Sequence, residues 1–378
     1  MKSVVIAGYV RSPFHFANKG ALTKVRPDDL AAAVVRGLIA KTGVNPADIE
    51  DLILGCAFPE GEQGFNVARL IGFLSDLPLS VAGATVNRFC GSSMQAIHDA
   101  AGAIQMGAGE VFICAGVESM TRVPMMGFNP MPNPALAAKM AGAYMPMGIT
   151  AENVANEYKL TRQEQEVFAA ESHRRAAAAR ASGKFKDEII PIDTKAGKVE
   201  EDGCIRPETT AEGLAGLKPV FDAAGQVTAG TSSPLTDGAS AVLVATEEYA
   251  KKHNLPILAR IKSIAVGGCR PEVMGIGPVV AAKKALKRAG LEAKDIDIIE
   301  LNEAFAAQAI ACMKDLGFSV DKVNIDGGAI ALGHPLGATG ARITGKAAQL
   351  LKREGKKYAL ATQCIGGGQG IATILEAV

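Results

Sequence analysis

The chain has 378 residues, of which 48% are hydrophobic and 21% are charged, and its formal net charge is +1. This length and composition are typical of a globular α/β protein with two or three domains, and the balanced charge argues against a nucleic-acid partner. No apolar run is long enough for a transmembrane helix, so we expect no membrane span.

Strand-like and helix-like segments alternate through residues 1–118. The apolar runs SVVIAGY, DIEDLILGCAF and EVFICAG predict strands, and residues 28–42 and 91–107 have the apolar spacing of helices. The first of these helices is expected to end near Gly43. Strands that alternate with helices predict a mostly parallel sheet covered by helices on both faces, which places the chain in the α/β class.

Residues 119–236 interrupt this alternation and are expected to form an insertion. Residues 123–147 hold six of the twelve methionines and five prolines, a composition that is unfavourable for a regular helix or strand. Residues 149–182 have helical spacing, and Thr161 is a suitable N-cap within TRQEQ. The pieces KDEIIPI and GCIRPETT are expected to be short and extended.

The alternation then resumes and repeats its beginning. The segment that leads through Gly43 into ADIEDLILGCAF is similar to the one that leads through Gly290 into KDIDIIELNEAF, and Asp48 aligns with Asp295, 247 residues later. Such a repeat predicts two similar α/β halves that pack together, with the chemistry between them. The predicted division is a first half of residues 1–118 and 237–262, an inserted loop domain of residues 119–236, and a second half of residues 263–378.

The seven cysteines follow neither a disulfide framework nor a metal-binding pattern. Their number is odd, they are scattered along the chain, and neither CxxC nor HxxxH occurs. This pattern predicts free thiols in a reducing compartment. We therefore expect a cytoplasmic protein without a metal site.

Two cysteines lie where parallel sheets collect reactive groups, next to strand ends and helix starts. In VNRFCGSSMQA, Cys90 is placed near a helix N-terminus, which favours a thiolate, although a buried and inert thiol is the alternative. In ATQCIGGGQG, Cys364 precedes glycines whose N–H groups can approach a bound oxygen. A tight turn at a strand end would have the same pattern.

Two further stretches carry polar residues at similar places. In LNEAFA, Asn302 follows an apolar strand, where a polar side chain needs a partner. In AIALGHPLGATG, His334 is one of only five histidines and stands between Gly333 and Pro335. Most histidines are surface or satisfied core residues, but this unusual backbone favours a functional role.

Together these stretches resemble one family. NRFCGSSMQA, NEAFAAQ, GGAIALGHPLGATGAR and CIGGGQGIA are similar, in this order, to the four active-site segments of the thiolases. MGITAENVA, FKDEIIPI, IRPETT and TAGTSSPLTDGAS also resemble that family, so the likeness covers essentially the whole chain. It implies the thiolase fold, which has two βαβαβαββ halves in a five-layered α-β-α-β-α arrangement and an inserted loop domain that covers coenzyme A.

The resemblance also implies roles for the matching residues. Cys90 matches the nucleophile that becomes acylated, His334 the base that activates it, and Cys364 the second, acid/base cysteine. Asn302 matches the residue that positions a water in one oxyanion hole. The backbone N–H groups of Cys90 and Gly366 match a second oxyanion hole.

The substrate-binding positions follow from the same resemblance. Ser233 matches a residue that contacts the pantetheine of coenzyme A, and Met147 matches one that lines the acyl pocket. Phe305 matches another wall of the site, with Ala304 beside it. Pro146 is a departure, because short-chain biosynthetic thiolases tend to carry histidine at that position.

The implied reaction is the cleavage of a 3-ketoacyl-CoA by coenzyme A in fatty-acid β-oxidation, with coenzyme A as a substrate and no cofactor. NRFCGSSMQAIHDA, IRPETT and TSSPLTDGA resemble degradative 3-ketoacyl-CoA thiolases more than acetoacetyl-CoA thiolases, which condense two acetyl-CoA. That condensing activity and a non-catalytic acyl-CoA-binding relative remain alternatives. Ketoacyl synthases share the fold but pair their cysteine with two histidines or with histidine and asparagine, whereas Cys364 stands here.

The resemblance finally implies an assembly. Family members pair through edge strands of the N-terminal half, so we expect a homodimer or a homotetramer. A subunit with enoyl-CoA hydratase and 3-hydroxyacyl-CoA dehydrogenase activity is a candidate partner. The Met-rich residues 123–140 are expected in subunit or partner contacts, and residues 141–149 near the acyl group.

Overall fold

A computed structural model describes residues 2–378 of the chain and confirms the α/β class. The elements before the insertion are β1 Val4–Arg11, β2 His15–Phe16, α1 Pro27–Thr42, β3 Asp51–Gly55, α2 Val67–Leu74, β4 Ala82–Val86, α3 Ser92–Met106 and β5 Val111–Ser119. Those of the insertion are α4 Pro134–Lys139, α5 Met147–Glu157, α6 Arg162–Ala181, β6 Ile192–Thr194, β7 Gly197–Val199 and α7 Ala211–Ala215. Those after it are β8 Thr236–Thr246, α8 Glu247–Lys252, β9 Ala259–Gly268, α9 Gly277–Ala289, β10 Ile298–Leu301, α10 Ala306–Leu316, α11 Ala329–Leu332, α12 Leu336–Glu354, β11 Tyr358–Ile365 and β12 Gln369–Glu376.

One sheet runs in the order β10-β11-β12-β9-β1-β8-β5-β3-β4. Only two residue pairs, Val5 with Arg260 and Ile6 with Ala259, join β1 to β9, so the sheet divides there into two halves. In the first half β4, β3 and β5 are parallel, and β8 and β1 complete it in antiparallel pairs. In the second half β10 and β11 are parallel, and β12 and β9 follow in antiparallel pairs. The prediction of a mostly parallel sheet is therefore wrong, because each half ends in antiparallel strands.

The repeat of 247 residues is confirmed by the matching ends of one helix in each half. Helix α1 ends at Gly43 and α9 ends at Gly290, and both glycines have left-handed φ values, of 70° and 68°. Glycine adopts this conformation without steric cost, which explains its use as a helix stop. A short 3₁₀ turn follows each of them, at Pro46–Asp48 and Ala293–Asp295.

The outer edge of the second half differs from that of the first. Where β4 completes the first half, the second has a single parallel bridge between Ile299 and Val323. The backbone N–H of Asn324 donates to Ile299, and its side-chain amide both accepts from the N–H of Leu301 and donates to the carbonyl of Leu301, at 2.9 and 2.8 Å. The Asn324 side chain therefore makes backbone hydrogen bonds that a further strand would make at this edge.

Three apolar cores separate five layers, which confirms the expected arrangement. One lies between the first half-sheet and helices α1 and α2, and includes Leu38, Ile71 and Leu243. The second surrounds α3 and α12 between the half-sheets. The third lies under α9 and α10, and includes Leu286 and Cys312. Because helices cover both faces, β8 is buried along its whole length.

The insertion departs from one expectation. Residues 149–182 do not form one helix, since α5 and α6 are separated by a turn in which Lys159 has a left-handed φ of 51° and the N–H of Leu160 donates to Ala155. The predicted N-cap is confirmed, because Thr161 and Glu164 form a capping box at the start of α6.

The predicted domain boundaries stay predictions, and β9 runs across the one between residues 262 and 263. Residues 123–147 contain the short helix α4 and expose several large apolar side chains, namely Met125, Met126, Phe128, Met131 and Met140. Among the helices of residues 2–378, none combines the length and the apolar character that a membrane crossing requires.

Candidate active site

Cys90 lies in the tight turn that opens α3, as the sequence predicted. Phe89 before it has a φ of 44°, which is uncommon for an aromatic residue, and Gly91 follows. The hydroxyl of Ser92 donates to the Phe89 carbonyl at 2.6 Å and stabilises this turn. A Cβ on Gly91 would lie 2.5 Å from the side chain of Ile365, so a larger residue there would have to displace that side chain.

The surroundings of Cys90 keep its sulfur protonated. The side chain is half-buried and packs against an apolar cluster that includes Ala57, Met120 and Leu336. This burial raises the pKa of the Cys90 thiol to about 12, although a contact with the backbone N–H of Gly366 acts in the opposite direction. The helix N-terminus therefore does not make Cys90 a thiolate in the resting protein, because burial outweighs it.

Cys364 lies in β11 and is buried. Burial raises the pKa of its thiol well above the usual value, and the neighbouring Cys90 raises it further. Gln363, the neighbour of Cys364, donates from Nε2 to the Cys90 carbonyl, so the two cysteine segments lie side by side, and both cysteines are thiols at neutral pH. A proton that leaves one of them needs a base nearby.

The turn after Cys364 brings backbone donors to the cysteines. Gly367 and Gly368 have φ values of 80° and 83°, which favour glycine. A Cβ on Gly366 would be in van der Waals contact with the sulfur of Met147 at 3.5 Å and with the ring of Phe89 at 3.6 Å. The Gly366 N–H, the Cys90 thiol and two apolar side chains thus surround one small space.

His334 occupies the loop between α11 and α12, where Gly333 has a φ of 105°. Its backbone N–H donates to the Thr236 hydroxyl at 3.0 Å. Its Nδ1 lies 2.6 Å from the hydroxyl oxygen of Thr339, and its Nε2 lies 3.3 Å from Nδ2 of Asn302. Both ring nitrogens therefore have defined partners.

Burial determines the charge of His334. It lowers the pKa of the imidazole to about 3, and the positive charge of Arg342 lowers it in the same direction. The ring is therefore neutral at physiological pH and has a lone pair that can accept a proton.

Asn302 follows β10 directly and completes this cluster. Its backbone N–H donates to the carbonyl of Thr362 on β11, and its Nδ2 reaches His334. Its Oδ1 is buried and has no hydrogen-bond partner among the described residues. A buried acceptor of this kind is suited to hold a water molecule.

Glu303, beside Asn302, has a structural role instead. Its carboxylate accepts hydrogen bonds from the Ser172 hydroxyl, from Asn324 Nδ2 and from the N–H of Ile330, at 2.6, 2.7 and 3.2 Å. It therefore joins α6 to the loop before α11 rather than facing the cysteines.

The four predicted substrate-binding residues lie together beside Cys364. Met147, Ala304 and Phe305 belong to one apolar cluster with it. The backbone N–H and the hydroxyl of Ser233 both donate to the Ala304 carbonyl, at 3.0 and 3.1 Å. The ring of Phe305 meets Phe221 edge to face at 6.0 Å. These contacts place the insertion directly against Cys364 and the segment after Asn302.

Three residues near the site were missed from the sequence. Thr339 contacts His334, Gln363 donates from Nε2 to the Cys90 carbonyl, and Glu118 accepts from the N–H of Gly337 at 2.9 Å. Glu118 could have been identified from the sequence, because a charged residue in an apolar strand needs hydrogen-bond partners. Within residues 2–378 no three His, Cys, Asp or Glu side chains are grouped to hold a metal ion.

Comparisons with protein families and relatives agree with this geometry. The model of the thiolase N-terminal domain matches residues 4–248, and that of the thiolase C-terminal domain matches residues 255–377. The 3-ketoacyl-CoA thiolase of Vibrio cholerae serotype O1 is 51% identical over 389 residues, and that of Bacillus subtilis strain 168 is 48% identical over 389 residues. Each alignment covers 100% of both chains.

Solved structures share the fold over the whole chain. Human mitochondrial 3-ketoacyl-CoA thiolase has a TM-score of 0.92 and 39% identity, and the match covers 100% of this chain and 99% of that one. A structure of that human protein in complex with CoA matches with the same score and covers 98% of the solved chain. The Bacillus anthracis acetyl-CoA acetyltransferase also has a TM-score of 0.92 and 39% identity, with coverage of 100% and 99%.

Proposed function

This chain belongs to the thiolase family, and we propose that it cleaves 3-ketoacyl-CoA with coenzyme A to give acetyl-CoA and an acyl-CoA shortened by two carbons. Relatives that carry the name 3-ketoacyl-CoA thiolase match it over its full length, which supports the degradative reaction of fatty-acid β-oxidation. The human relative with the same fold has been solved in complex with CoA, which supports coenzyme A as the second substrate here.

The observation that carries the proposal is the arrangement around Gly366. One thiol, that of Cys90, contacts the Gly366 N–H, and a second thiol, that of Cys364, interacts with the first. The neutral imidazole of His334 lies just before α12 and contacts the side chain of Asn302, which directly follows β10. The Oδ1 of Asn302 is buried and has no hydrogen-bond partner in residues 2–378. Cleavage of a carbon–carbon bond between two carbonyls needs such a set: a nucleophile, a base, a second acid and donors for developing oxyanions.

The first half-reaction uses Cys90, His334 and Cys364. Nε2 of His334 takes the thiol proton of Cys90, and the sulfur attacks the 3-keto carbon of the substrate. The bond between C2 and C3 breaks, and its electron pair moves to C2. The thiol of Cys364 gives its proton to C2, acetyl-CoA leaves, and Cys364 becomes a thiolate while Cys90 carries the acyl group.

The second half-reaction restores the enzyme. The Cys364 thiolate takes the thiol proton of coenzyme A, and the sulfur of coenzyme A attacks the acyl carbon on Cys90. The shortened acyl-CoA leaves, and the imidazolium of His334 returns its proton to the Cys90 sulfur. Coenzyme A is a substrate, and the reaction needs no cofactor.

Each half-reaction places negative charge on a carbonyl oxygen. We assign one oxyanion hole to the backbone N–H groups of Cys90 and Gly366. A water held by the Oδ1 of Asn302 and the edge of His334 forms the other. A preorganised donor of this kind contributes about 2.7–4 kcal/mol to transition-state stabilisation.

Labelling of Cys90 tests the proposal. Iodoacetamide is expected to modify this cysteine faster than the other six, and incubation with an acyl-CoA is expected to block the modification. Turnover should fall below about a tenth in Cys90→Ser, because a larger residual rate would mean a loss of under ~1.4 kcal/mol of barrier. A folded Cys90→Ser protein that keeps more than that rate would contradict the nucleophile assignment.

The second candidate function is the condensation of two acetyl-CoA. This second candidate is supported by the Bacillus anthracis acetyl-CoA acetyltransferase, which shares the fold at the same TM-score as the human enzyme. Pro146 supports the degradative reaction, since short-chain biosynthetic thiolases tend to carry histidine at that position. Rates of thiolysis on short, medium and long 3-ketoacyl-CoAs would decide between the two functions.

The retention of both Cys90 and His334 argues against a non-catalytic relative.

The assembly and the compartment belong to the same proposal. We propose a cytoplasmic homodimer or homotetramer, in which the edge strand β4 and the exposed Phe65 and Leu79 beside it support pairing of the first halves. The exposed methionines of residues 123–140 support a second contact, with another dimer or with a subunit that has hydratase and dehydrogenase activity.

A further inference from the structure

Glu118, near the end of β5, is a fully buried carboxylate without a cationic partner in residues 2–378. Its Oε2 accepts hydrogen bonds from the backbone N–H of Ala57 at 2.8 Å and from that of Gly337 at 2.9 Å. Its Oε1 accepts from Gln63 Nε2 at 2.8 Å and from the N–H of Phe58 at 3.3 Å. The thiol of Cys56 also donates to Oε1, at 3.7 Å. All of these neighbours are donors, so they match an anion better than a carboxylic acid.

One of the two partners of Oε2 lies on the histidine side of the site. Gly337 is the second residue of α12 and comes three residues after His334. Because the N-terminus of a helix carries partial positive charge, an anion bound there is stabilised. A Cβ on Gly337 would lie 2.5 Å from the Val117 carbonyl oxygen and 2.7 Å from that of Gly55. The first turn of α12 therefore rests directly on the backbones of β3 and β5.

The other partner of Oε2 lies on the cysteine side. The carbonyl of Ala57 accepts from Asn87 Nδ2 at 3.0 Å, and the Oδ1 of Asn87 accepts from the N–H of Phe89 at 2.8 Å. The ring of Phe58 also pairs with that of Phe89, at a centroid distance of 6.0 Å. Ala57 and Phe58 thus support the segment that presents Cys90.

We propose that Glu118 is a positioning residue for the reaction, whose Oε2 sets the separation between the segment that presents Cys90 and the loop that presents His334. The inference rests on the roles proposed above for these two residues. Proton transfer from the thiol to the imidazole needs their heavy atoms within about 2.6–3.2 Å. A displacement of 1 Å at a reacting group can lower the rate about 100-fold.

On balance the pKa of Glu118 is raised, because burial outweighs the N–H groups of Ala57 and Gly337, which lower it. The negative charge of Glu118 also raises the pKa of Cys90, behind the larger effect of burial. The carboxylate thus favours a thiol that ionises only when His334 takes its proton.

The test compares wild-type enzyme with Glu118→Gln, Glu118→Asp and a control. Glutamine places an NH₂ group among donors and removes one acceptor, and aspartate keeps the charge but withdraws it by one methylene. The control is Ser240→Ala, which removes the 2.6 Å hydrogen bond from the Ser240 hydroxyl to the Ala338 carbonyl, in the same turn of α12 but away from the cysteine side. Near-UV circular dichroism checks folding, and the readouts are kcat, KM for coenzyme A and the pH profile of Cys90 alkylation.

In wild-type and Ser240→Ala enzymes, alkylation of Cys90 should vary little between pH 6 and 9, because His334 is neutral throughout and takes the thiol proton. In Glu118→Gln the rate should instead rise about tenfold per pH unit, as hydroxide must generate the thiolate. Its kcat should fall about 100-fold with KM for coenzyme A unchanged. Glu118→Asp should lie between wild type and Glu118→Gln.

Three results would overturn the inference. They are a flat alkylation profile in folded Glu118→Gln, the same change in Ser240→Ala, and failure of both Glu118 variants to fold, which would make the carboxylate a folding element only. A steep profile in the wild-type enzyme has a different meaning. It would remove His334 as the base and so contradict the proposed function itself.

Discussion

The hydroxyl of Thr339 determines which nitrogen of His334 carries the proton. This hydroxyl donates its single hydrogen to the Pro335 carbonyl at 3.1 Å, and its oxygen lies 2.6 Å from Nδ1 of His334. The oxygen can therefore only accept from the ring, so Nδ1 is the protonated nitrogen. Nε2, which faces Asn302, keeps its lone pair and is the basic atom.

Replacement of Thr339 should therefore lower the rate without removing any reacting group. In Thr339→Val the ring can adopt the other tautomer, and we expect kcat to fall at least about 100-fold, since a wrong tautomer is severe even where geometry is kept. Thr339→Ser keeps the hydroxyl and is the matched control. Steady-state thiolysis measures both variants, and equal rates for Val and Ser would show that the hydroxyl does not set the tautomer.

Replacement of Cys364 should separate the two kinds of chemistry at this site. Acylation of Cys90 by acetyl-CoA involves no carbanion and should survive in Cys364→Ala. Exchange of deuterium into the acetyl methyl group needs an acid/base at C2 and should disappear. Mass spectrometry of the intact protein and of acetyl-CoA in heavy water follows the two processes. Continued exchange in the variant would remove the acid/base role from Cys364.

Deletion of residues 126–138 should change the assembly more than the chemistry. This segment exposes Phe128 and Met131, whereas residues 141–149 include Met147, which packs against the apolar cluster of Cys364. Exposed apolar side chains of this kind usually meet a partner. Light scattering should show a lower oligomer mass, while the rate on acetoacetyl-CoA stays close to that of the full chain. An unchanged mass with a rate lost only on long substrates would make the segment a wall of the acyl site.

His98 should make the fold sensitive to acid. Its ring is buried and bonded to the Thr373 hydroxyl at 2.9 Å, and burial lowers its pKa from 6.5 to about 3. Below pH 6.5 the unfolded chain binds a proton at this residue and the folded chain does not. Each pH unit between 6.5 and about 4 should therefore cost the folded state about 1.4 kcal/mol.

The variant His98→Gln isolates this effect from the other ionisable groups. Whatever its stability at neutral pH, the difference in free energy of unfolding between variant and wild type should shift in favour of the variant as the pH falls through this window. Urea unfolding at several pH values measures the difference. A gap that does not change with pH would mean that His98 is charged in the folded protein.

The sequence located the turn of Cys90 and the loop of His334 because their signals are local. Helix α3 was predicted for residues 91–107 and occupies Ser92–Met106, and the loop of His334 does open a helix. Apolar spacing, glycines and polar residues at strand ends are all read within a few residues. The likeness to thiolases then placed the two halves and the five layers.

The partners of these residues could not be predicted in the same way. Glu118 and Gly337 are 219 residues apart, and only the packing of α12 on the first half-sheet brings them together. The break at Lys159 was missed because a left-handed residue that is not glycine leaves no mark in the composition. Strand β4 was missed because its half-exposed AGATV sequence has neither apolar alternation nor a buried run.

The side chain of Asn324 also limits how copies of the chain can associate through their sheets. By accepting from and donating to Leu301, its amide saturates the backbone that a further strand would use. At the opposite end of the sheet, β4 has no strand beyond it within residues 2–378. Strand addition between copies can therefore occur at one border only, and two copies joined about a twofold axis leave no border free. Such growth is self-limiting, which guards a strand-rich protein against fibril formation.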